Sequence, residues 1–195
     1  MLEELRNWHY NDLEVYNDFL QDDFNYIIEN TFPTSDVKYT YSLGYSQGDG
    51  FGIYGYLSFK DVESLTGETF SELEKDLIKA GSYFDSNYDI KIYNDRGDTF
   101  FNDSMIEIPY EDDIDYFMNY DPYFEGTQED INNAIKHINV IEHKLQDRLS
   151  KLCKEWEDLG YNYLYPSDET LVTDYIDEVY DDGYEFDEDG NIIEI

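Results

Sequence analysis

The chain has 195 residues, with 47 Asp or Glu against 12 Lys or Arg, a net charge of −35, and a composition that is 41% hydrophobic and 18% aromatic. So many core-forming side chains exclude a disordered acidic tail, and the charge excludes a protein that grips nucleic acid or anionic lipid through a basic face. Cys153 is the only cysteine, which excludes a disulfide framework and a cysteine zinc site.

The length suits a single acidic domain over 1–195. The opening MLEELRNWHYND has no basic segment followed by an apolar one, and no apolar run approaches ~18 residues, so a soluble intracellular protein is expected.

In chain order, residues 12 to 30 read as an amphipathic helix, with Leu13, Tyr16, Leu20, Phe24, Ile27 and Ile28 on one face. Glu14, Asp18 and Asp22 form a ridge on its polar side, and like charges four apart cost a helix a few tenths of a kcal/mol per pair. From Val37 to Phe59 the period changes to two, predicting a β-hairpin that turns at Ser46-Gln47-Gly48-Asp49-Gly50. Gly44, Gly52 and Gly55 within it point to a bulge or a close approach by another backbone. A short helix is predicted over Thr69 to Ala80, stopped by Gly81. A second hairpin follows from Tyr88-Asp89-Ile90-Lys91-Ile92-Tyr93 through Asn94-Asp95-Arg96-Gly97 to Thr99–Phe101, with a further strand at Met105 to Tyr110. Glu111 to Glu125 is an acidic, tyrosine-bearing connection.

Thr127 to Gly160 reads as one helix of about nine turns. Ile131, Ile138, Leu145, Leu152 and Leu159 recur every seventh residue, and Ile135, Leu149 and Trp156 mark a second series that Glu142 interrupts, with Ile141 beside it placed to take over the contact. Thr127 and Asp130 have capping-box spacing and Gly160 is a natural stop. Such a seam must face a sheet, another helix or a second copy of the protein, so a homodimer through this helix is one expected arrangement. A helix from about Asp168 to Tyr180, with Val172, Ile176 and Val179 inward, and a hairpin turning at Asp189-Gly190 complete the chain. The fold class expected is α+β: an antiparallel sheet of hairpins packed on one long helix, flanked by the N- and C-terminal helices.

The charge is uneven. No Lys or Arg lies between Arg6 and Lys38, between Arg96 and Lys136, or after Lys154, and these windows hold 33 of the 47 acids. Duplex DNA carries one charge per ~1.7 Å, so 35 charges correspond to roughly 60 Å of duplex. A compact chain of this length is a body ~40–50 Å across, of similar charge density.

The motifs that could carry chemistry fail on context. SQGDG lacks a nearby base and a strand-loop-helix setting for a phosphate. An EF-hand placed on Gly190 would need its twelfth position beyond Ile195. His137 and His143 are six apart and so about 120° apart around a helix, too far to share a metal. No Ser or Cys nucleophile stands beside a histidine. Neither an enzyme nor a metal or other cofactor is expected. Against a merely solvated surface stand the strained ridge at Glu14, Asp18 and Asp22, the anions Asp181 and Asp182 at a helix C-terminus, and the interleaving of acid with tyrosine.

The segment YTYSLGYSQGDGFGIYG, Tyr39 to Gly55, resembles a signature of small phage-encoded proteins that carries no assigned chemistry. In acidity and size the chain also resembles the phage antirestriction and anti-CRISPR proteins that act as DNA mimics. These resemblances imply a protein of the bacterial host cytoplasm that blocks a nucleic-acid-binding host enzyme by presenting carboxylates in place of phosphates. The partner would be the basic groove of a nuclease, restriction enzyme, CRISPR effector or polymerase, with no direct contact to nucleic acid or membrane. The residues expected to meet it are Asp112, Asp113, Asp115, Tyr116, Tyr120, Asp121 and Tyr123, then Tyr175, Asp177, Glu178, Asp181 and Asp182 with Tyr180, and the ridge at Glu14, Asp18 and Asp22. An antitoxin-like protein that plugs a basic enzyme without mimicry, and a cation-binding module or cation-dependent enzyme, are the alternatives.

Overall fold

The computed structural model describes residues 2–11, 13–44, 49–81, 90–94, 105–108, 114, 127–181, 185–186 and 192–193. Their architecture is α+β, with a three-stranded antiparallel sheet packed on one long helix, and further helices at either end of the chain. The chain gathers into two compact units, one of Asn25–Glu157 and one of Met1–Phe24 with Asp158–Ile195.

In the larger unit the alternation of apolar and polar residues gives β1 (Asp36–Ser42) and β2 (Gly50–Leu57), antiparallel with Tyr39 opposite Ile53. The turn residues 45–48 lie outside the described part, but Asp49 clasps its base, accepting from Ser42 Oγ at 2.7 Å and Gly44 N at 2.8 Å. Gly55 meets the expectation of close backbone approach. It has φ +132°, and a Cβ there would sit 2.1 Å from the Asp36 carbonyl oxygen.

The strand ends at Leu57 rather than Phe59, because Ser58 accepts from Asp61 N and starts helix α3 over Phe59–Thr66. The next helix, α4, spans Glu72–Gly81, starting later than predicted and running through Gly81. That glycine serves proximity rather than termination, since a Cβ would lie 2.3 Å from the Glu107 carbonyl oxygen. β3 (Ile90–Tyr93) pairs antiparallel with β2, giving the order β1-β2-β3. Its expected partner arm, 99–101, lies outside the described residues. Residues 105–108 form no strand, correcting the expectation for Met105 to Tyr110; the amides of Met105 and Ile106 are both taken by the buried Glu142.

The long helix α5 covers Gln128–Leu164, 37 residues and ~55 Å. Its start is the capping box read from sequence: Asp130 N donates to Thr127 Oγ1, and Thr127 N donates back to Asp130 Oδ2. Ile131, Ile138, Ile141, Leu145, Leu149, Leu152 and Trp156 are buried, so the seam is covered by the chain's own residues. Ile53, Leu57 and Ile92 of the sheet are fully buried, and Phe51 meets the Trp156 ring edge-on at 5.4 Å. Each such aliphatic side chain stabilises the fold by ~1.5–3 kcal/mol.

Two expectations for α5 are corrected at its end. Leu159 is 42% exposed and Gly160 does not stop the helix. A straight helix drifts ~20° per heptad from a seven-residue repeat, so four heptads beyond Ile131 the seam has turned by roughly 80°. The buried positions have moved to Gly160 and Leu164.

In the smaller unit, α1 (Leu2–Asn11), unforeseen from the sequence, lies against α6 (Asp168–Asp181). Ser167 caps α6 by accepting from Thr170 N. α2 (Leu13–Thr31) begins here with Leu20 and Phe24 fully buried. β4 (Glu185–Phe186) and β5 (Ile192–Ile193) pair antiparallel, the hairpin expected around Asp189-Gly190, whose turn lies outside the described residues. No helix among the described residues is long and apolar enough to cross a membrane.

Candidate functional site

The helical period of α2 turns Asp18 and Asp22 outward, as the ridge requires, and both are exposed. The Glu14 backbone lies on the same helix, its side chain outside the described part. Tyr175 is half-buried on α6. The backbones of Asp177, Glu178, Tyr180 and Asp181 continue that helix, and their side chains are not described. Asp112, Asp113, Asp115, Tyr116, Tyr120, Asp121, Tyr123 and Asp182 lie outside the described residues.

The division into units sharpens the charge pattern. The smaller unit has fewer than a third of the residues but holds 20 acidic side chains and one basic one, Arg6. The larger has 27 acids and 11 bases, so more than half of the net charge falls on the smaller. Arg6 is already engaged: its Nε and Nη2 donate to the two oxygens of Asp168 at 2.9 and 2.5 Å, a bidentate pair.

Within this acidic unit a cleft of about 290 Å³ opens among α1, α2, the end of α5 and α6. Three of its ten lining residues are tyrosines, Tyr16, Tyr163 and Tyr175, and Leu5, His9 and Asp174 are among the others. His9 is 5% exposed; its Nε2 donates to the Leu164 carbonyl at 3.0 Å, and its ring lies 4.2 Å from that of Tyr16. Tyr16 meets Tyr163 edge-on at 6.0 Å. Burial pushes the Tyr163 hydroxyl above its ordinary value, and the Asp23 carboxylate adds to it, so the phenol is neutral at physiological pH. The cleft therefore combines polarisable tyrosine rings with the carboxylate of Asp174. Sequence reading found Tyr175 and missed the rest, because Leu5, His9, Tyr16 and Tyr163 converge only through the packing of α1 against α6.

A second polar cluster lies in the larger unit. Ser71 and Glu74 form a capping box on α4, with Glu74 Oε2 accepting from Ser71 N at 2.7 Å. The other oxygen, Oε1, accepts from His137 Nδ1 at 2.7 Å, while His137 Nε2 faces Glu68 at 3.4 Å and Lys144 pairs with Glu68. The hydrogen bond to Glu74 and the nearby Glu68 raise the His137 pKa against the effect of burial, and Lys144 then His137 lower that of Glu68. Both ring nitrogens are occupied by carboxylates that favour the charged form of the ring, so this His is clamped in a structural cluster rather than presented as a base to a substrate. No group of three or more His, Cys, Asp or Glu among the described residues is arranged to hold a metal ion. Cys153 is buried, and burial pushes its thiol up to about 12.

Comparison of the chain with protein families, with characterised proteins and with solved structures gives no match.

Proposed function

We propose that this chain is a stoichiometric inhibitor of a basic nucleic-acid-binding protein, offering carboxylates where the target expects phosphates. The observation that carries the reading is the acidic unit, with 20 acids and a single base already neutralised by Asp168. A compact body of that many residues has a radius of gyration of roughly 10–11 Å and is ~27 Å across. Duplex of that length carries about 16 charges at one per ~1.7 Å, close to the unit's net −19. A single helix does not reach this density. α2 carries five acids over ~28 Å, one per ~6 Å, against one per ~3.4 Å on one DNA strand.

Charge at this density speeds association with a basic groove, and tyrosine at the same surface supplies contact area that outlasts salt screening. The test is capture of a host nuclease, polymerase or restriction or CRISPR effector at low salt, followed by competition with duplex DNA and guide RNA. A mimic is displaced by excess nucleic acid. Retention of the complex at saturating nucleic acid would overturn mimicry and leave a plug on another surface of the target.

A further inference from the structure

We propose that the tyrosine-walled cleft of the acidic unit is a receptor for one guanidinium group, an arginine side chain presented by the basic partner. The proposal rests on the reading of the chain as an inhibitor of a cationic protein, and it deepens that reading by naming the side chain that is held.

The chemistry of the walls selects the ligand. Tyr16, Tyr163 and Tyr175 are among the residues that line the cavity. A cation within ~6 Å of a ring face is attracted by the ring's quadrupole, more strongly where it is desolvated. Asp174, exposed and among the lining residues, supplies a full negative charge, and Asn162 beside Tyr163 adds an amide acceptor. No Lys or Arg is among the lining residues, and the unit's one base, Arg6, is held by Asp168, so the charge at the cleft favours a cation over an anion. Leu5 and His9, both buried lining residues, disfavour a strongly hydrated ammonium. A guanidinium is planar, more weakly hydrated and able to stack on rings, so arginine fits this interior better than lysine. The volume, about 290 Å³, lies at the small end of ligand clefts, which hold ~300–1,000 Å³, and suits one side chain rather than a cofactor.

The probe is N-acetyl-L-argininamide, titrated into the full chain without any partner and followed by the ring resonances of Tyr16, Tyr163 and Tyr175. Saturable shifts of these three rings are expected, persisting at 1 M salt where screening acts over ~3 Å. Binding should be several-fold weaker for N-acetyl-L-lysinamide and absent for N-acetyl-L-leucinamide. Asp174→Asn, at an exposed position, should weaken the probe by up to about 5-fold with unchanged thermal melting. Tyr175→Leu should weaken it about 2- to 30-fold, and Tyr175→Phe should restore most of the loss. Shifts spread over the whole acidic surface without saturation, or equal binding of the leucine compound, would overturn the proposal. Because no partner is present, failure here removes the cleft and leaves mimicry to its own competition assay; success here with failure there keeps the cleft and removes mimicry.

Discussion

Glu142 holds Met105: its Oε1 accepts the Met105 amide at 2.6 Å and, from the same position, the Ile106 amide at 3.0 Å. The residue that interrupts the apolar series of α5 is thus the acceptor that ties segment 105–108 to the helix, while Ile141 beside it is fully buried and carries the hydrophobic contact. Replacing Glu142 by leucine mends the heptad on paper. It should nevertheless destabilise the fold by about 2–6 kcal/mol, since two buried amides at ~1–3 kcal/mol each lose the Glu142 carboxylate. Denaturant titration checks this, and a Glu142→Leu variant as stable as the parent would refute it.

The His137 cluster makes stability depend on pH with a definite sign. Hydrogen bonding to Glu74 raises the His137 value above its ordinary 6.5, so its stabilisation is complete below 6.5 and is lost as pH rises through the folded value. Glu68 is lowered from 4.5 by Lys144 and His137, so its part is present above 4.5 and lost as pH falls through the folded value. The cluster therefore stabilises most between these limits. The melting difference between the parent and His137→Gln should be larger at pH 5.5 than at pH 8.5; equal differences would show that the imidazole carries no charge in the fold.

Gly55 should not accept a side chain. A Cβ at φ +132° meets the Asp36 carbonyl oxygen at 2.1 Å, backbone against backbone. Gly55→Ala should cost at least ~1–3 kcal/mol from conformational strain alone, and more if β1 is pushed from β2. Loss of slow amide exchange in 36–42 would locate the damage.

The ridge on α2 sets stability against binding. Asp18→Lys removes two repulsive four-residue spacings and creates attractive ones, so thermal stability should rise by up to about 1 kcal/mol. Target binding should fall in the same variant. A variant that is stabilised yet binds unchanged would remove Asp18 from the interface.

Cys153 gives an independent report on the core. With the thiol buried and pushed up to about 12, almost no thiolate exists at pH 8, and a disulfide reagent should react only as the protein unfolds. Rapid labelling of the native chain would show that the α5 face carrying Cys153 is open.

What could be read from the residues alone followed the range of the forces involved. The hairpin of β1 and β2, helix α2 and the Thr127–Asp130 cap rest on local periodicity and local hydrogen bonds, and these were legible. α3 escaped because Phe59 continues the strand alternation, although Ser58 and Asp61 carry the capping signal. α1 escaped because, among its described side chains, only Leu5 and His9 are buried. Gly160 and Leu159 misled because helical drift accumulates over a length that a seven-residue count ignores. Of the candidate site, the ridge at Asp18 and Asp22 was visible in spacing, whereas the cleft joins residues more than 140 positions apart in sequence, Tyr16 and Tyr163 among them.

Glu74 serves two masters with its two oxygens, the first-turn amide at Ser71 and the imidazole of His137. The start of α4 is consequently wired to a titrating ring on a different helix. Loss of the ring's charge weakens its grip on that oxygen, so the hydrogen-exchange rate at Ser71 becomes a remote gauge of the His137 proton.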